Sequence, residues 1–177
     1  MNTSKDSMPH IQYQWVPVAV RDGSSFDFST DGAGSIKLLP QVPAVYRWAV
    51  YEKKILRKVY IGETENLRKR IDQYFNPGPS QSTNLRLNAT FKKDNDAGLN
   101  VRLEMLHVAP TYLNNIYICD GNFSDQYVRK MMENFTLADS DATQYEILNA
   151  TENPIERRKR KAMKDNPLEG FFQQHGL

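Results

Sequence analysis

Four residues in the first half of the chain could act together on an anionic substrate. Tyr46 lies in an alternating run over residues 44–51, and Tyr60 in a second run over 57–62. Arg70 follows at the edge of a helical stripe, one turn before Tyr74, while Lys69 points away from that stripe. A guanidinium is a rigid fork of donors that suits two phosphate oxygens at once. A phenol can donate or accept a hydrogen bond, but with a free pKa of about 10 it supplies little phenolate at neutral pH. Each residue also has an ordinary explanation. Tyrosines are common in strands, and an arginine stem often covers the flank of an apolar stripe. The joint spacing carries the functional reading.

The elements that must position these groups follow from periodicity. Residues 44–51 place Ala44, Tyr46, Trp48 and Val50 on one face, and residues 57–62 place Lys58, Tyr60 and Gly62 opposite Val59 and Ile61. The polar link Glu52-Lys53-Lys54 makes the two runs an antiparallel hairpin. A turn centred on Lys53 would set Tyr46 directly across from Tyr60. Thr64 reads as the N-cap of a helix over 65–75 with Leu67, Ile71, Tyr74 and Phe75 as its core stripe. Asn76-Pro77-Gly78-Pro79 ends it. A further helix is expected over 84–93, a third strand over 100–108, and a helix over 123–135 capped by Ser124, with Met131 and Met132 in the core. Upstream, a strand-like run at 12–20 precedes a turn-rich loop at 21–35. Downstream, Asn153-Pro154-Ile155-Glu156 opens a basic helix.

Composition narrows the class. The 177 residues are 40% hydrophobic and 11% aromatic, which suits a folded domain rather than a disordered chain. The single Cys119 excludes a disulfide framework or a cysteine-cluster zinc module and fits a reducing compartment. No apolar stretch is long enough to span a bilayer, and the polar start lacks a secretory signal, so a cytoplasmic protein is expected. Net charge is only +2, but residues 44–75 hold eight Lys and Arg against four Asp and Glu, and residues 154–177 hold six against three. Screened charges act over about 8–10 Å, so these local blocks matter more than the total, and nucleic acid is a plausible partner.

The run Ala44-Val45-Tyr46, then Tyr60-Ile61-Gly62, then the helix ENLRKRIDQYF resembles the GIY-YIG nuclease superfamily. VYIGETENLRKR is its most specific part, and the likeness extends over most of residues 36–150, in the layout of the compact phage and restriction-type endonucleases. The resemblance implies an α+β fold: a small three-stranded antiparallel sheet flanked by helices (36–150), with an N-terminal extension (1–35) and a basic C-terminal helical tail (151–177), all in one compact unit. It implies a Mg²⁺-dependent (or Mn²⁺-dependent) DNA endonuclease, site-selective, acting on double-stranded DNA. The lack of a long apolar stretch leads to the expectation of no membrane partner. One site facing two strands calls for a dimer or two successive nicks, which leads to the expectation of a homodimer or higher homo-oligomer.

Tyr46 and Tyr60 then match the two motif tyrosines, Arg70 the phosphate-clamping arginine, and Tyr74 a position where relatives carry Tyr or His. Glu133, within SDQYVRKMMENF, matches the metal-binding glutamate, with Glu104 and Glu146 as other acids that could serve; Asn149, in YEILNAT, closes the core. Tyr46 is the first choice for general base and Tyr60 for orienting the water, and the roles are exchangeable. Gly62 supports the motif by admitting close approach. Lys53, Lys54, Arg57, Lys58, Arg68 and Lys69, with Arg157, Arg158, Lys159, Arg160 and Lys161 in the tail, would contact the DNA backbone. The pattern departs from relatives at Ala44, where they carry Gly, and at Glu63, where Lys is common. The motif also contains no histidine. Two other functions stand beside the nuclease: a nucleic-acid-binding protein with a degenerate core, and an interaction protein using its basic tail.

Overall fold

Nine consecutive residues from Ala44 to Glu52 form a central strand in which all but Arg47, Tyr51 and Glu52 are buried. A strand this apolar on both faces must be covered on both sides. The computed structural model describes residues 11–20, 23–113, 116–119, 122–140 and 144–149. Among them β1 (Tyr13–Pro17), β2 (Ala44–Glu52), β3 (Ile55–Thr64), β4 (Asn100–Val108) and β7 (Glu146–Ile147) form one sheet in the order β1-β4-β2-β3-β7. β5 (Thr111–Leu113) and β6 (Ile116–Cys119) form a separate antiparallel pair. Helices α1 (Thr30–Ser35), α2 (Leu67–Phe75), α3 (Ser82–Asp96) and α4 (Gln126–Asp139) complete the α+β architecture, with a 3₁₀ turn over Ile36–Leu38. By compactness the chain divides into residues 1–147, which contain every one of these elements, and residues 148–177.

The expected three-stranded antiparallel sheet is present as its centre, β4-β2-β3, but the full sheet has five strands and is mixed, because β7 joins β3 in parallel. Two short edge strands account for the difference. β1 has an apolar Trp15 and Val16 that pair onto β4, and β7 is only two residues long, too short for periodicity to reveal.

The hairpin register also differs from expectation. A two-residue turn, with Lys53 at φ 57, pairs Glu52 with Ile55, and a bulge after Val50 then adds one residue on β3. Tyr46 therefore faces Gly62, and Tyr60 faces Trp48. The shift totals two positions from a turn centred on Lys53, so every side chain keeps its face.

One face carries Tyr46, Trp48 and Leu103 against α2 and α3. Its core is aromatic: Phe28 stacks on Phe75 at 4.3 Å, and Trp48 lies edge-on to Tyr74 at 6.1 Å and to Phe28 at 5.6 Å. The other face packs Val45, Ile61, Leu106 and Val108 against Phe123 and Met132 of the α4 region. Met132 is fully buried, but Met131, expected in the core beside it, is 44% exposed. The α4 cap is Asp125, whose carboxylate accepts from the Tyr127 N–H, not Ser124. The α2 cap is Asn66, accepting from Lys69 N, while Thr64 ends β3 and bonds to the Asn66 backbone. In both cases a later Asx residue took the cap from a serine or threonine two positions or fewer upstream.

Candidate active site

The hairpin and α2 bring Tyr46, Tyr60, Arg70 and Tyr74 into one cluster. Tyr46 projects from the middle of the sheet toward α2, where its hydroxyl lies 2.7 Å from the Tyr74 hydroxyl and accepts a 3.1 Å bond from Arg70 Nε. Arg70 Nη1 donates to Gln73 at 2.9 Å, and the guanidinium carbon sits 4.6 Å from the centre of the Tyr74 ring. Tyr60 packs edge-on to Tyr74, with ring centres 6.0 Å apart. Tyr46 and Tyr74 are fully buried, whereas Tyr60 and Arg70 are half-buried. Gly62 makes room for this. A Cβ there would stand 2.7 Å from the Tyr46 hydroxyl oxygen and 2.9 Å from its Cζ, so any side chain would displace the ring. Gln73, three residues after Arg70 on the same helix flank, was legible only as a polar neighbour at i+3.

Electrostatics separates the roles. Burial pushes the Tyr46 phenol well above the ordinary tyrosine value, Tyr60 adds to the rise, and Arg70 with its hydrogen bonds offsets only part of it. Burial does the same to Tyr74, reinforced by Tyr46 and Tyr60. For Arg70, burial opposes the charge and the bond to the Tyr46 oxygen favours it, and the guanidinium stays protonated. Tyr46 is thus a neutral phenol that fixes Arg70. This works against the general-base role expected of it, because the ionised form would have to survive without water.

Beside the cluster lies a cleft of about 370 Å³ lined by Thr64, Glu65, Asn66, Lys69, Arg70 and Gln73. Glu133 does not join it. It is on α4, which packs on the sheet face opposite Tyr46: neighbouring Met132 meets Val45 and Ile61, which alternate with Tyr46, Tyr60 and Gly62 along their strands. Nor do the alternative acids. Glu104 is buried on that same far face, accepting from Arg47 Nε at 2.7 Å and the Tyr51 hydroxyl at 3.0 Å, and Glu146 lies exposed on β7. Among the described residues no group of three or more His, Cys, Asp or Glu could hold a metal, and the one carboxylate lining the cleft is Glu65. None of the three acids that the sequence offers as the metal ligand, Glu133, Glu104 and Glu146, lines this cleft. Asn149 lies two residues beyond β7, within the unit 148–177.

The cations expected to meet DNA divide into two kinds. Arg57 is paired with Glu52 at 2.5 Å, and Lys58 with the buried Asp94 at 2.7 Å, so both are spent on the protein. Lys53 and Lys54 occupy the exposed hairpin turn, Lys69 is exposed on α2, and Arg68 Nε donates to the Leu39 carbonyl at 2.7 Å. Arg157, Arg158, Lys159, Arg160 and Lys161 lie outside the described residues. Glu63, which looked like a lost cation in the motif, is turned to the far face, where Arg129 Nε meets it at 2.8 Å. Its charge is neutralised away from the cleft. Comparison with family models, curated proteins and solved structures found no match.

Proposed function

We propose that the chain is a DNA endonuclease of GIY-YIG type, hydrolysing a phosphodiester bond in the cleft beside Arg70. The observation that carries this reading is the Tyr46–Arg70–Tyr74 network, with Tyr60 as its half-buried fourth member. Arg70, with its Nε and Nη1 already bonded to Tyr46 and Gln73, is oriented before substrate arrives. A guanidinium so fixed stabilises charge that develops on a phosphorane without reorganising. Tyr60 is the phenol that can meet water and orient it for attack, whereas Tyr46 and Tyr74 position Arg70. Double-stranded DNA as substrate, site selection, a cytoplasmic location and a working homo-oligomer belong to this reading as expectations. So does dependence on Mg²⁺ or Mn²⁺, measured by chelation with EDTA and re-addition of either ion. Among the described residues no helix is long and apolar enough to cross a membrane.

A second reading has its own support: a nucleic-acid-binding protein that does not cut. The placement of Glu133 across the sheet and the burial of Tyr46 both favour it. Incubation with supercoiled plasmid and Mg²⁺ distinguishes the two, using wild type beside Tyr60→Phe, Arg70→Lys and Glu133→Ala. The nuclease reading expects cutting that falls by about 10²-fold in Arg70→Lys, the usual cost of one transition-state donor. Retention of plasmid on the protein with no cutting in any form would favour the binder.

A further inference from the structure

A second cleft, of about 520 Å³, lies on the other side of the first turn of α2. Its walls come from α1, the 3₁₀ turn and the loop after it, with Lys37 and Gln41 on one side and Arg68, Lys69, Asp72 and Asn76 on the other. Asn66 and Lys69 line both this cleft and the one beside Arg70, so the two meet across the helix start. Together they present Lys37, Arg68, Lys69 and Arg70 against Glu65 and Asp72, and Asp72 already accepts from Asn76 Nδ2 at 2.8 Å. Among the described residues neither Lys37 nor Lys69 has an acidic partner within salt-bridge distance. The far wall is fastened to the helix. Arg68 Nε donates to the Leu39 carbonyl and Leu67 N to the Val42 carbonyl at 3.0 Å, so the loop carrying Lys37 and Gln41 is held at a fixed distance from α2.

We propose that these joined clefts form a track for one polynucleotide backbone, with the second cleft taking the phosphates next to the one at Arg70 and Lys37 as its outer contact. The inference rests on the nuclease reading for the identity of the central phosphate, but it concerns binding and not cutting. A track is the better occupant than a small anion. Cations on both sides of α2, spread over two connected hollows, match charges repeated along a strand more than one compact group. An unpaired lysine on a fixed wall adds a phosphate contact with little ordering cost. Lys37 lies in the 3₁₀ turn, outside the tyrosine motif and the α2 helix.

The test is the salt dependence of binding by the full chain to a fluorescent 20-base-pair duplex, without divalent metal, followed by anisotropy. Each phosphate contact contributes about 0.9 to the slope of log affinity against log salt. Lys37→Ala is expected to lower that slope by about 0.9, as loss of one phosphate contact requires. Lys92→Ala, an exposed cation on α3 away from both clefts, is expected to leave it unchanged. A slope unchanged in Lys37→Ala, or lowered equally in Lys92→Ala, would overturn the track while leaving the nuclease reading standing. Absence of duplex binding by wild type would overturn both.

Discussion

Removing the Tyr46 hydroxyl leaves the buried Tyr74 hydroxyl, and the inward-facing Nε of half-buried Arg70, without their partner. Tyr46→Phe is therefore expected to lose about 1–3 kcal/mol of stability in urea unfolding, the usual cost of orphaning a buried polar group. The two raised phenols also predict an alkaline limit. In the unfolded chain they ionise near the ordinary tyrosine value of about 10, whereas in the folded protein they stay protonated to higher pH. The unfolded state then binds fewer protons, so their contribution is complete below pH 10 and is lost as pH rises above it. Each group contributes a slope of up to about 1.4 kcal/mol per pH unit there. Unfolding titrations between pH 9 and 11.5 should show a shallower alkaline decline for Tyr46→Phe than for wild type. An equal decline would mean that the phenol meets solvent after all.

At the level of elements, two ion pairs of β3 should behave oppositely. Arg57 and Glu52 are about half exposed, and such pairs are worth about 0–1 kcal/mol. Lys58 instead reaches Asp94, whose side chain is 6% exposed on α3. Lys58→Met leaves a buried charge alone and is expected to cost about 3–5 kcal/mol, against under 1 for Arg57→Met, measured by the same urea titration. The hairpin, α2 and β4 were legible because periodicity and stop signals coincide there. β4 runs over the expected residues 100–108, and α2 ends at the expected Phe75. The register was not legible, since a bulge after Val50 leaves no compositional trace. Of the site, Tyr46, Tyr60, Arg70 and Tyr74 were readable as a group because motif spacing and helix geometry both constrain them. Glu133 was placed by the resemblance alone, and a likeness of motif does not say on which face of a sheet a helix will land. Lys37 was invisible because its role depends on a loop being tied to α2 by backbone carbonyls at Leu39 and Val42.

At the level of the whole molecule, under the nuclease reading proposed above, the tyrosine–arginine cluster occurs once among the described residues of a chain, so two DNA strands would require two such sites or two visits. Supercoiled plasmid is then expected to pass through a nicked circle before becoming linear. The linear form should gain relative to the nicked form as protein concentration rises, which gel densitometry over a dilution series measures. Direct conversion of supercoiled to linear plasmid at the greatest dilution, with no nicked circle accumulating, would instead require a preassembled pair.

Gly62 and Glu63 are adjacent on β3 yet serve opposite sides of the sheet: one is the floor under the Tyr46 ring, the other the anchor for Arg129. A single peptide link thus couples the tyrosine–arginine cluster to α4 across the sheet. In a mutagenesis screen for lost cutting, Arg129 should turn up beside Arg70 and be mistaken for a reactive group. Heat separates the two: Arg129→Leu strips a buried guanidinium from Glu63 and from the Phe123 and Ser124 carbonyls. It should lower the melting temperature by more than Arg70→Lys, whose larger effect should be on cutting.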